Sequence, residues 1–349
     1  MIGIASCWPD DVATGSGTTV SQRRLLDALE RAGSPARIVY TSRFATSSEG
    51  LERRESENRA FGERVGDFNA VIGIDGEGWL WAREDRRPPL LAFCEAVLAD
   101  VLPFERGEQA ALLERQAEWE GAAARCAEVV VARSAYGASC VARHYGIEPG
   151  RVNVVPIPFD VASWQAQLPR LQKEPLVLAV GHLYPRKNYR PLIDAWPAVS
   201  RAYPEARLVV IGVGPEQAAF EEANAELAHF TWLGHVSYGQ LLELYARARV
   251  FCHPSLQENF GVAVVEALAS GCAVVTHRQA AVLENTAGVV GAWAVDARVS
   301  GELETALLDA LSVTQPWDSS RLAGLEARLD PASIGRQVAR LADSARRNS

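Results

Sequence analysis

The chain has 349 residues, 48% of them apolar and 22% charged, and a formal net charge of −8. That length holds two domains with full cores, and the acidic balance argues against a dedicated nucleic-acid binder, which carries a basic excess. The cysteines Cys7, Cys94, Cys126, Cys140, Cys252 and Cys272 stand singly, with no CxxC pair, so neither a zinc nor a disulfide framework is expected and a reducing cytoplasm fits.

Residues 2–6 read as a short strand, which leaves no room for a signal peptide before it. A loop over 8–17 follows, then a helix over 18–31 that Gly33 stops. Residues 37–41, 70–74 and 90–93 are strands of the short apolar kind. A long polar-faced helix over 108–126 leads to a strand over 128–132. Ser134 caps a helix to Tyr145 that Gly146 ends, and a strand over 152–155 closes this half. The polar stretch 162–174 reads as a hinge. Beyond it, strands at 176–180, 207–211, 231–233, 248–253 and 273–276 alternate with helices within 188–203, 216–228, 238–246 and 301–311. A polar helix over 331–347 ends the chain. This alternation predicts a parallel sheet in each half. The expected organisation is domains over 1–162 and 163–330, with a terminal segment over 331–349. No apolar run reaches the roughly 20 residues that span a bilayer, so at most peripheral membrane contact is expected.

Four stretches carry chemistry. Gly181-His182-Leu183-Tyr184-Pro185-Arg186-Lys187-Asn188 lies between a strand and a helix. Amides at a helix N-terminus favour anions, and Arg186 and Lys187 add full charges. The stretch reads as a diphosphate site or as a solvated turn with surface cations. Gly212-Val213-Gly214-Pro215-Glu216 is the next such turn. It lacks the third glycine of GxGxxG and by itself is a tight turn before a helix. Leu233-Gly234-His235-Val236-Ser237 is by itself a simple connection, able to hold a base edge through its main chain. The stretch from Ser255 to Gly271 places Glu258 in a loop and Glu266 on a helix. Loops at the carboxyl ends of parallel strands bind ligands, and ionised carboxylates accept hydrogen bonds from vicinal sugar hydroxyls. Asn259, Phe260 and Gly261 offer amides at the helix start, ready for negative charge. Two glutamates at this spacing are common, and the bland reading is one helix carboxylate and one surface glutamate.

In this order, the four stretches resemble the donor-binding half of the family 4 glycosyltransferases, a retaining group with the GT-B fold. Residues 132–156 resemble the end of that family's N-terminal domain. The resemblance implies an α/β chain of two Rossmann-like domains, with parallel sheets facing a central cleft. The first would bind an unidentified acceptor and the second a nucleoside-diphosphate sugar. The last helix would return to the first domain. No metal or cofactor is implied. Glu258 would hold the donor sugar's hydroxyls, Glu266 the nucleotide ribose and Lys187 a phosphate. Phe260, Gly261 and Val262 would supply amides to sugar and diphosphate. Gly15, Ser16 and Gly17 match the glycine-rich loop bordering donor phosphate and acceptor. Gly181, Gly214, His235, Val236 and Asn259 complete the implied donor set.

Three departures stand out. His182 replaces the family's arginine, with Arg186 placed to compensate. Asn259 replaces a glycine and tolerates left-handed backbone. The region 91–96 lacks the family's histidine. Glu95 is there, either as its stand-in or as an ordinary helix-start glutamate. The catalytic candidates are thus Glu258, Lys187, Arg186, His182 and Glu95. Two rival readings share the architecture, a sugar-nucleotide epimerase and a non-catalytic sugar-nucleotide binder. The acceptor loops would be 8–17, 43–62 and 79–87. In the last of these, Trp79 and Trp81 either stack on a flat ligand or pack under the loop, and Glu84 and Asp85 nearly neutralise the basic run from Arg83 to Arg87.

Overall fold

The computed structural model describes residues 1–8, 17–41, 43–63, 65–84, 87–314, 317 and 319–348. The chain forms two compact units, Met1–Phe159 with Arg328–Ser349, and Asp160–Ala327. Gly15 and Ser16, and most of the loop around them, lie outside the described residues.

The first unit runs β1 (Ile2–Ser6), α1 (Gly17–Arg31), β2 (Ala36–Tyr40), α2 (Ser48–Gly62), β3 (Ala70–Ile74), β4 (Leu90–Cys94), α3 (Leu98–Val101), α4 (Gly107–Cys126), β5 (Val129–Ala132), α5 (Ala135–Tyr145) and β6 (Val152–Val154). Its strands pair in parallel in the order β2-β1-β3-β4-β5-β6. Every residue of β1, β3, β4 and β5 is buried, whereas the edge strand β2 is half-buried to exposed. Helices cover both faces of such a sheet, so its central strands read as unbroken apolar runs rather than as alternation. Alternate residues feed two cores. One holds Phe61, Trp81, Trp119 and Tyr145 with Val71 and Val130. The other holds Leu25 and Phe93 with Ile72 and Val131.

The second unit runs α6 (Val161–Gln167), β7 (Glu174–Val180), α7 (Arg190–Ala202), β8 (Arg207–Ile211), α8 (Gln217–Glu226), β9 (Phe230–Trp232), α9 (Tyr238–Arg247), β10 (Ala248–His253), α10 (Val262–Ala269), β11 (Ala273–His277), α11 (Ala280–Thr286), β12 (Ala292–Val295) and α12 (Ser300–Ser312), followed by α13 (Ala323–Leu329). Its parallel order is β12-β11-β10-β7-β8-β9. Tyr189, Trp196 and Phe220 dominate its core.

The stretch expected to be a hinge opens with a helix, α6. Asp160 caps it, accepting from the Ser163 amide at 2.9 Å, and the indole of buried Trp164 donates to Ser270 Oγ at 2.8 Å. Trp79 and Trp81 are core residues. Trp79 stacks on Trp119 at 4.4 Å between centroids, and Trp81 packs edge-on to Phe61 at 6.1 Å. Arg87 is also committed, forming two 3.0 Å hydrogen bonds to the Glu128 carboxylate and one of 2.7 Å to the Ala82 carbonyl. Among the described residues no helix is long and apolar enough to cross a membrane.

The final helix, α14 (Pro331–Asn348), completes the first unit. Ile334, Val338, Ala342 and Ala345 form a helical stripe that joins the core beside α1. The two helices touch almost backbone to backbone, since a Cβ on Gly335 would lie 1.8 Å from the Ala28 carbonyl oxygen. Gly335→Ala is therefore expected to push α14 off α1 and to cost about 1–3 kcal/mol, the usual range for overpacking, read as a lower urea midpoint at unchanged m-value.

Candidate functional site

In the second sheet, β7 leads outward to β8 and β9, whereas β10 lies on its other side and leads to β11 and β12. The strand order thus reverses between β7 and β10, and an open parallel sheet binds ligands beyond the strand ends at such a point. The loops leaving these two strands carry Arg186 and Lys187 after β7 and Glu258 after β10.

Hydrogen bonds zip the two loops together. The Leu256 amide donates to the Arg186 carbonyl at 2.8 Å, and Ser255 Oγ donates to the same oxygen at 3.3 Å. Asn188, in left-handed backbone at φ 55°, donates from its side chain to the Pro254 and Ala297 carbonyls at 3.2 and 3.1 Å. Arg186 Nη1 reaches the Gln257 carbonyl at 3.2 Å. The result is a direct ion pair, with Lys187 Nζ donating to Glu258 Oε1. His253 Nε2, at the end of β10, lies 3.0 Å from that same oxygen. Oε2 of Glu258 has no protein hydrogen-bond partner among the described residues.

Burial alone would raise the Glu258 carboxyl. Lys187, the His253 hydrogen bond and Arg186 outweigh it and hold the group well below its ordinary range. Burial lowers Lys187, while Glu258 opposes the shift, and burial likewise keeps His253 below its usual value. The centre is an acid held ionised by the Lys187 charge, beside an imidazole whose proton burial disfavours.

The loop beyond Glu258 is pinned from α11. Gln279 Nε2 donates to the Glu258 carbonyl at 2.9 Å, and Asn285 Nδ2 donates to the Phe260 carbonyl. Phe260 and Asn259 are buried. Gly261 is the N-cap of α10 at φ 79°, and Val262 opens that helix. Glu266, one turn further, accepts from the Tyr245 hydroxyl at 3.3 Å. Gly181 packs on Tyr189, whose buried hydroxyl has no hydrogen-bond partner among the described residues. His182 is half-buried in the turn after it, 5.9 Å from the Tyr184 ring. Gly214 has a packing reason for being glycine, because a Cβ there would lie 2.7 Å from the Leu183 backbone. His235 is exposed and Val236 half-buried in the loop after the edge strand β9. The structure therefore gathers Arg186, Lys187 and Glu258 into one cluster, while Glu266 is held by Tyr245.

The first sheet reverses between β1 and β3. There Trp8 Nε1 donates to Asp75 Oδ2 at 2.8 Å, and Asp75 Oδ1 accepts from the Glu95 and Ala96 amides at 3.0 and 3.4 Å. Glu95 is neither a helix-start residue nor an unengaged acid. It is buried in an ion pair with Arg133, whose Nε donates to Oε1 at 2.7 Å and whose Nη2 reaches Ser21 Oγ at 3.1 Å. Gly17, with nothing near its Cβ position, opens α1. Arg54 and Glu77 form a second ion pair with no exposed side-chain surface, and Arg54 Nη1 also donates to Gln116 at 2.6 Å. Burial and the charge of Glu95 raise Asp75 to about 6, and burial and Asp75 raise Glu120 to about 8. Sequence reasoning missed His253, Gln279, Asn285, Asp75 and Arg133. The usable signal for Asp75 and Arg133 was a charge directly after a buried strand.

Glu258→Gln leaves the Lys187 ammonium buried without its counter-charge and is expected to cost about 3–5 kcal/mol in urea unfolding, most of it recovered in the Lys187→Met/Glu258→Gln double variant. Glu120 sets a pH dependence of opposite sign. Its folded carboxyl keeps its proton up to about 8 while the unfolded one, at the ordinary glutamate value of 4.5, has released it, so stability falls as pH rises through that window. Glu120→Gln is expected to flatten the stability–pH slope there by ~1.4 kcal/mol per pH unit, measured by urea midpoints across the range.

The family described as Glycosyl transferases group 1 matches residues 160–311. A phosphatidyl-myo-inositol mannosyltransferase of Mycobacterium tuberculosis is 35% identical over 156 residues, 42% of this chain and 40% of that protein. A D-inositol 3-phosphate glycosyltransferase of Segniliparus rotundus is 27% identical over 281 residues, 70% of this chain and 62% of that protein. Both alignments span less than two thirds of the relative's own length. The crystal structure of Anabaena HepE in complex with UDP and glucose superposes with a TM-score of 0.75 at 18% identity, covering 98% of this chain and 99% of that one. Residues 160–311 are thus similar to the group 1 glycosyl transferases, and the chain has the GT-B fold.

Proposed function

We propose that the protein is a retaining glycosyltransferase that moves a hexosyl unit from a nucleoside-diphosphate sugar to a hydroxyl acceptor. The observation that carries this reading is the Lys187–Glu258 pair with Arg186 beside it, at the reversal point of the second sheet and inside the matched domain. Glu258 Oε2 accepts from donor-sugar hydroxyls and Glu266 from the nucleotide ribose. Lys187 and Arg186 meet the diphosphate, with His182 and the amides at Phe260 and Gly261 at the edge of the same turns. The anomeric carbon–phosphate oxygen bond breaks as the bond to the acceptor oxygen forms on the same face. The acceptor's proton passes to the leaving phosphate oxygen, and the nucleoside diphosphate departs. Negative charge grows on that leaving group, which fixed cations stabilise most. Because the charge is met by side chains, activity is expected to survive chelation by EDTA.

The first unit takes the acceptor. The names of the two relatives above point to inositol-bearing acceptors, so inositol phosphates and phosphatidylinositol lead the acceptor set. UDP is the first nucleotide to test, since a structural neighbour binds it.

A thermal-shift screen of UDP-, GDP-, ADP- and dTDP-linked sugars is expected to give a rise in Tm with one nucleotide class, and no rise with any of them overturns the reading. Glu266→Ala is expected to weaken that donor at least tenfold, by loss of a charge-assisted hydrogen bond worth ~1.5–3 kcal/mol. Product NMR then checks retention. Release of nucleoside diphosphate only when an acceptor is present separates transfer from epimerisation, and donor binding without turnover on any acceptor marks the non-catalytic alternative.

A further inference from the structure

Far from these loops in sequence, the first unit brings together Asp100 of α3 with Cys140 and His144 of α5, their donor atoms all within 4.8 Å of one another. Cys140 and His144 are four apart on one helix, so their side chains share a face. Asp100 Oδ1 lies 3.3 Å from His144 Nε2. A tetrahedral ion with bonds of about 2.0–2.1 Å to oxygen and nitrogen has donor–donor edges of about 3.3 Å, so this edge already has the required length. The other carboxylate oxygen, Oδ2, accepts from the Tyr136 hydroxyl at 2.9 Å, an outer contact of the kind that orients a ligating carboxylate.

A cation already sits among the three donors. Arg143 Nη2 is 3.1 Å from Asp100 Oδ1, 3.4 Å from Cys140 Sγ and 3.2 Å from His144 Nε2. Its side chain is 60% exposed, whereas that of Asp100 is 9% exposed and Cys140 is fully buried. Two donors are thus fixed by the fold, and the positive group capping them is free to swing into solvent. Neutral imidazole, thiolate and carboxylate around an open fourth position are the ligand set of Zn²⁺ among common divalent ions.

We propose that Asp100, Cys140 and His144 form a Zn²⁺ site in the first unit, capped by Arg143 when the metal is absent. Binding forms a metal–sulfur bond, releases the Cys140 thiol proton to solvent and displaces the guanidinium. The three residues tie α3 to α5, so the site is structural and independent of the transfer reaction.

Titration of the full chain with Co²⁺, followed by Zn²⁺ competition, tests this. One equivalent of Co²⁺ is expected to give the near-ultraviolet charge-transfer band of a thiolate–cobalt bond, and Zn²⁺ to abolish it. His144→Ala alters an exposed side chain and leaves the core intact. It is expected to weaken Co²⁺ by more than about 100-fold, beyond the loss of an outer contact. Cys140→Ser removes the band. Arg143→Gln, which removes the competing cation, is expected to tighten metal binding several-fold, whereas in a simple Arg143–Asp100 ion pair it would create no metal affinity. Absence of the band, or a band that persists in both His144→Ala and Cys140→Ser, overturns the site.

Discussion

Everything at the end of the second sheet depends on one charge being kept. Glu258 is largely buried, and a lone carboxylate there would take up a proton. The Lys187 ammonium prevents this, with His253 supplying a second contact to the same oxygen. Lys187 reaches that position because the two loops are stitched by the Leu256, Ser255 and Asn188 hydrogen bonds. A buried ion pair is seldom the most stable filling for a space, as well-packed apolar side chains often do as well or better. Its presence at the reversal point of the sheet is therefore better accounted for by what it presents outward, an ionised oxygen beside two cations.

The first sheet shows the contrast. It too buries acids at its reversal point, but the available guanidiniums are committed elsewhere: Arg133 to Glu95 and Arg54 to Glu77. Asp75 is left with an indole and two amides as partners. Burial then dominates, and Asp75 and Glu120 move up where Glu258 moves down. The same burial goes with shifts of opposite direction according to whether an ammonium or a neutral donor faces the acid. Left-handed backbone at Asp75 and at the β-branched Val97, with φ of 48° and 46°, flanks this region, and such conformations persist only where the surroundings fix them.

The central strands were legible because parallel strands buried on both faces leave apolar runs that need no periodicity to be seen. The motifs at Lys187 and Glu258 were legible through their order, since each stretch alone is common. What escaped was polar structure that behaves as core. Helix α2 turns inward the line Gly50, Arg54, Asn58 and Phe61, so its buried face carries a guanidinium and an amide and gives no apolar stripe. Helix α11 and strand β12 are short, and α6 lies in a stretch polar enough to pass for a linker. Gln279 and Asn285 act through side-chain bonds to carbonyls distant in sequence, which no local pattern announces. The Asp100, Cys140 and His144 cluster escaped for the same reason: half of it is a spacing on one helix, and the other half arrives from α3.

The docking of α14 on α1 has a consequence for the order in which the protein comes into being. The first unit is interrupted: its residues up to Phe159 leave the ribosome before the second unit, but the helix carrying Ile334, Val338, Ala342 and Ala345 leaves only after it. The second unit, continuous from Asp160 to Ala327, has all its parts before the first one does. Until α14 emerges, the nascent first sheet holds an uncovered apolar strip along α1, the place where a chaperone or a misplaced helix would dock.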